Sequence, residues 1–314
     1  MAGIPTPQNF YELSLVAERF VDQASKAVVF ELDKFACDGY RDDDLPGVAA
    51  ACEALLKDIY KEALDDKCKA TWEWFEAEPA FAMAFKSVGY VKVDENHWEG
   101  PIRRELERWL PRFREERRSS ASYVALRIAR LPAHYIKYMS HISGASYRYI
   151  SGIGYRTAIE GPSTIRRLKD LIAEFDEVLN TEWLPDNLRR NLAYSLRTKS
   201  ALQNLESCGE IASPASRRND ADLPTRLFAT DLLRVNQEIF NSFHKKAVFH
   251  LMGLSFVDRP LEMRTIERLA KSEVDAHREI AAKRIADKRG LNFDHVLATL
   301  KANKSFTFPR ENLS

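Results

Sequence analysis

The sequence predicts an all-α fold, a multi-helix bundle with a smaller C-terminal helical subdomain. Two observations carry that expectation. Apolar residues recur at three- and four-residue steps along most of the 314 residues, the spacing of one helical face. The β-branched alternation that strands require is nearly absent.

The elements follow in order. Val16, Phe20, Ala24, Val28, Leu32 and Phe35 mark a first helix, with Gly39 as its stop. Pro46 suits the opening of a second, where a missing N–H costs nothing. Val48, Cys52, Leu55, Ile59 and Ala63 would share its buried face. An aromatic-rich segment, 70–86, is split by Pro79, and Tyr90, Val91 and Val93 suit a short extended piece. Pro111 and Pro132 each open a helix or kink one. Pro162-Ser163-Thr164 reads as the start of a helix through Leu179, and Pro185 as the start of one reaching about Leu205.

The stretch 209–224, small, polar and holding two prolines, reads as a linker. It divides an N-terminal helical domain, 1–208, from a C-terminal one, 225–314. The latter would hold a helix from Thr225 to Met252, then a charged helix from Arg264 to Arg289 ended by Gly290, then a short helix capped by Asn292.

Hydrophobic residues at 45% and charged residues at 30% exclude disordered, collagen-like and disulfide-scaffold chains. A net charge of +1 argues against a surface wholly given to nucleic acid or anionic lipid. The four cysteines include no C-x-x-C pair, which suits free thiols in a reducing compartment. The N-terminal residues lack a secretory pattern, and the longest apolar run, 247–257, is too short for a bilayer. A cytoplasmic protein with no membrane partner is the expectation.

The segment 132–157, PAHYIKYMSHISGASYRYISGIGYRT, is the most unusual. His134, Tyr138 and His141 stand at i, i+4 and i+7, on one helical face. The two imidazoles would lie about 10 Å apart along the axis, too far to chelate one ion. Small residues that include Gly144 follow, near Tyr147, and permit close approach of a backbone or a planar ligand. His134, Tyr138, His141, Gly144 and Tyr147 are therefore the pocket candidates. No motif names a cofactor. Asp42-Asp43-Asp44 runs into Leu45-Pro46-Gly47, so it suits a turn rather than a magnesium-binding helix wall. Glu273 and His277, four apart, suit a surface ion pair better than a ligand set.

Arginine is concentrated twice. Arg104, Arg108, Arg112 and Arg117 belong to a set interleaved with glutamates. Arg264 and Arg268 open the charged C-terminal helix behind 247–253, a faint helix-turn-helix outline with an overlong turn. Guanidinium suits bidentate phosphate or carboxylate contacts. Trp72, Trp74 and Trp98 suit interface anchors or core packing equally. The functional expectation is a binding or regulatory protein whose arginine faces meet a protein or nucleic acid. Its rival is a helical-bundle enzyme or ligand-binding protein with a pocket beside the 132–157 helix. The sequence names neither catalytic residues nor an oligomeric state.

Overall fold

The computed structural model describes residues 3–37, 41–64, 66–89, 98–115, 119–131, 133–181, 183–196 and 219–302. Every element among them is helical, as expected. In order these are α1 (Pro7–Ser14), α2 (Val16–Cys37), a 3-10 turn (Asp42–Asp44), α3 (Leu45–Ala63), α4 (Asp66–Ala77) and α5 (Pro79–Ser87). Then come α6 (Glu99–Glu115), α7 (Ser119–Arg130), α8 (Ala133–Ile150), α9 (Ile153–Leu179) and α10 (Asp186–Leu196). The chain closes with α11 (Leu223–Phe240), α12 (Lys245–Leu251), α13 (Met263–Arg289) and α14 (Phe293–Ala302).

α8 is the hub. It packs against α1, α2, α7, α9 and α11, and its Ile136, Tyr138, Met139, Ile142 and Ala145 are buried. One continuous core gathers Phe10, Phe75, Leu106, Ile128 and Tyr138 with Phe228, Leu233, Val248, Leu251 and Ile266. Helices on both sides of residues 197–218 thus contribute to it. Residues 209–218 of the expected linker lie outside the described residues, as do Gly39 and the extended piece at Tyr90, Val91 and Val93.

Several boundaries differ from the sequence reading. The buried face of α3 is Leu45, Ala49, Cys52, Glu53, Leu56 and Tyr60, turned from the expected one. Glu53 is held inside because it accepts the Trp98 backbone N–H at 3.1 Å and pairs with Lys57 at 3.1 Å. α6 runs through Pro111 without restarting. α9 likewise contains Pro162. The Ser163 and Thr164 hydroxyls donate backward to the Glu160 carbonyl, at 2.7 and 3.0 Å, and so serve a helix already formed. The single helix expected over 225–252 is two, because Asn241 and His244 adopt positive φ, 54° and 37°. Asn tolerates that region better than most residues. The buried Asn236 amide donates to the Phe243 carbonyl at 3.2 Å and fixes the break.

At the far end the C′ glycine is as expected: Gly290 closes α13 with φ 63°. The Asn292 side chain accepts the His295 N–H at 3.1 Å and caps α14. Among the described residues, no helix is long and apolar enough to cross a membrane.

Candidate functional site

The candidate residues of α8 face different neighbours. Tyr138 is wholly buried, its ring 5.1 Å from Phe240, 6.2 Å from Phe81 and 6.1 Å from Phe85. Burial pushes its hydroxyl above the ordinary phenol range, so it stays protonated at neutral pH. Gly144 and Tyr147 instead face α1. A Cβ on Gly144 would stand 3.4 Å from Ser14 Cβ, and the Tyr147 ring lies 5.2 Å from Tyr11. The Ser143 hydroxyl donates to the Phe10 carbonyl at 2.7 Å across the same crossing. The side chain of His134 lies outside the described residues.

His141 turns toward α11, where its Nδ1 lies 3.7 Å from Glu238. Burial lowers its pKa, Glu238 and Glu18 oppose that, and Lys137 adds to it. Lys137 itself pairs with Glu238 at 2.8 Å. Two further ionic contacts join these layers. Arg148 on α8 meets Asp231 on α11 at 3.1 Å, and Arg234 on α11 clasps Glu273 on α13 at 2.8 and 3.2 Å. Burial raises the Asp231 carboxyl, and Arg148 pulls it back. Glu273, read from sequence as a surface residue, is 1% exposed, and His277 Nδ1 bonds its backbone carbonyl at 2.8 Å.

A cleft of about 330 Å³ opens where α8 ends and α9 begins. Arg148, Tyr149, Ser151, Tyr155, Phe228 and Asp231 line it, with Gly152 and Gly154. Gly152 takes φ 69°, a left-handed turn that lets α9 depart from α8. The Tyr155 hydroxyl donates to Asn219 at 3.2 Å along one rim. Tyr138, His141, Gly144 and Tyr147 are not among the lining residues. Among the described residues, no group of three or more His, Cys, Asp or Glu is placed to hold a metal ion.

Glutamates interleaved with the first arginine set are partly spent on structure. Arg127 of α7 grips Glu105 of α6 at 2.7 and 3.0 Å, and that bond holds the Glu105 carboxyl below its ordinary range. Arg103 pairs with Glu107 at 2.9 Å. Arg104 and Arg108, one turn apart, are exposed on α6. The Arg112 side chain and Arg117 lie outside the described residues. In the second set, Arg264 and Arg268 are exposed at the start of α13, and Arg268 donates to Thr265 Oγ1 at 3.0 Å.

Of the two roles open to the tryptophans named from sequence, the fold takes core packing. Trp72, Trp74 and Trp98 are buried, so none anchors an interface. Trp183, which the reading passed over, is 86% exposed in the turn joining α9 to α10. That turn is pinned. Arg189 Nη2 donates to the carbonyls of Thr181 at 2.9 Å and Leu184 at 3.2 Å, and the Asn180 amide donates to the Asp176 carbonyl at 2.8 Å. Its sequence signal is a tryptophan two residues before a helix-opening proline, off every apolar stripe. The chain matches no protein-family model, no curated protein and no solved structure.

Proposed function

We propose that the protein acts by binding, and that its partner is a polypeptide gripped at the turn between α9 and α10. The observation that carries this reading is Trp183, a large apolar side chain held in water on a turn that Arg189 fixes. Exposing an indole costs hydrophobic free energy unless a partner covers it, and tryptophan leads among interface anchors. Leu188 and Arg190, both exposed on α10, would supply an apolar neighbour and a charged rim. The near-balanced charge and the acids between the arginines favour a protein over a nucleic acid. The exposed Arg104–Arg108 and Arg264–Arg268 rows serve as secondary contact faces in this reading.

A photo-crosslinking residue at position 183, used on the full chain in its source cells, tests it. The reading expects a covalent adduct with one polypeptide, and co-purification of that polypeptide lost in Trp183→Ala. An adduct with nucleic acid, or co-purification indifferent to Trp183→Ala, would overturn it.

The cleft supports a second reading, a small-ligand binder at the α8–α9 junction. Its volume lies at the lower end of the range for ligand pockets, roughly 300–1,000 Å³. Tyr149, Tyr155 and Phe228 offer apolar walls, and Arg148 and Asp231 a polar end. Ligand-observed NMR with aromatic fragments should show binding that Asp231→Asn weakens; no binding in the unmodified protein would dismiss it.

A further inference from the structure

α9 is 27 residues long, yet between Gly154 and Leu179 none of its residues is buried. Among the described residues its main packing partners are α8, α11 and α10. Leu168, Leu171 and Val178 are 42%, 51% and 52% exposed. With half-buried Phe175 they stand at i, i+3, i+7 and i+10, the seam of a two-helix coiled coil. The charges along this stretch are segregated. Arg166, Arg167 and Lys169 come first, then Asp170, Glu174, Asp176 and Glu177. Asp176 and Glu177 fall in the last turn of α9, where the helix macrodipole disfavours acids.

We infer that α9 pairs with α9 of a second copy, antiparallel and about a two-fold axis between Leu168 and Leu171. Running in opposite directions, each basic half lies along the other copy's acidic half, which turns that segregation into complementarity. Setting Leu168 opposite Leu171 of the second copy places Arg167 beside its Glu174, and the symmetry repeats the pair. Arg167 and Glu174 are both exposed, two turns apart on one edge of the apolar seam, and neither has an ion pair among the described residues. An isologous contact of one helix per copy is small, on the order of 1,000 Å², which suits a dissociation constant in the micromolar range. The two-fold falls near the middle of α9, whereas Trp183 lies beyond its C-terminal end.

Sedimentation velocity on the full chain, from roughly 1 to 100 µM, tests this inference. The expected behaviour is conversion of the 36.0 kDa monomer to a dimer. Arg167→Glu should raise the dissociation constant about tenfold, because it meets Glu174 of the other copy twice. Glu174→Arg should do the same, and the two together should return it to within about threefold of the original. Leu171→Asp should leave only monomer, with an unchanged circular-dichroism spectrum since Leu171 packs no core. A chain monomeric throughout, an assembly larger than two, or a dimer indifferent to the single reversals would overturn it. Trp183→Ala should leave the dimer intact. A monomeric chain that still crosslinks a partner through position 183 would therefore sink the dimer and spare the binding reading.

Discussion

The hydroxyl of Ser143 donates to the carbonyl of Phe10 at 2.7 Å, joining positions 133 residues apart. This bond sets the crossing of α1 over α8, and the neighbouring Gly144 sets its closeness. A single methyl at Gly144 would touch Ser14 Cβ at 3.4 Å, an ordinary contact. Gly144→Ala should therefore change stability by no more than about 1 kcal/mol, since helix propensity gains what packing loses. Gly144→Leu should cost about 1–3 kcal/mol by forcing the helices apart. Urea denaturation measures both.

Among the described residues, the buried Glu273 carboxylate has its ion pair with Arg234, at 2.8 Å. Arg234→Ala strands that charge and should destabilise by roughly 3 kcal/mol. Replacing the pair together, Arg234→Met with Glu273→Leu, should cost much less. A double variant no more stable than Arg234→Ala would show that desolvation is not the cause.

His141 sets a pH dependence. Burial lowers its folded pKa below the unfolded value near 6.5, despite Glu238 and Glu18. The unfolded chain thus binds the proton more readily, and stability contributed by neutral His141 is lost as pH falls below about 6.5. Thermal melts from about pH 7.5 to 5.5 should show a decline that His141→Gln flattens.

The αL residues make a fourth test. His244 at φ 37° stores backbone strain, which glycine relieves by up to about 1 kcal/mol. Its ring lies 5.4 Å from Phe240, and losing that contact offsets part of the gain. His244→Gly should therefore be close to neutral, whereas Gly290→Val, at φ 63°, should cost about 1 kcal/mol or more.

The fold was legible wherever an apolar stripe kept unbroken helical spacing. Val16 to Phe35 and the α13 helix closed by Gly290 are such cases. Reading failed where local punctuation competed with tertiary packing. Pro162 looks like a start, but helix already exists upstream of it, and Asn241 and His244 interrupt an apolar pattern that continues across them. The site was harder. Tyr138, His141 and Gly144 share an arc of α8, yet different helices face that arc, so their side chains serve different contacts. Tryptophan is equally apolar in core and on surface, and only the fold separates Trp74 from Trp183.

Phe240, contributed by a helix that follows residue 218, covers Tyr138, contributed by a helix that precedes residue 197. Expressed alone, a fragment ending at 208 would present bare aromatic rings to water, and the remaining piece would lose the wall it leans on. Each should precipitate or melt by itself, and mixing the two should restore solubility. A single cut between positions 197 and 218 in the assembled molecule should leave both pieces clinging together.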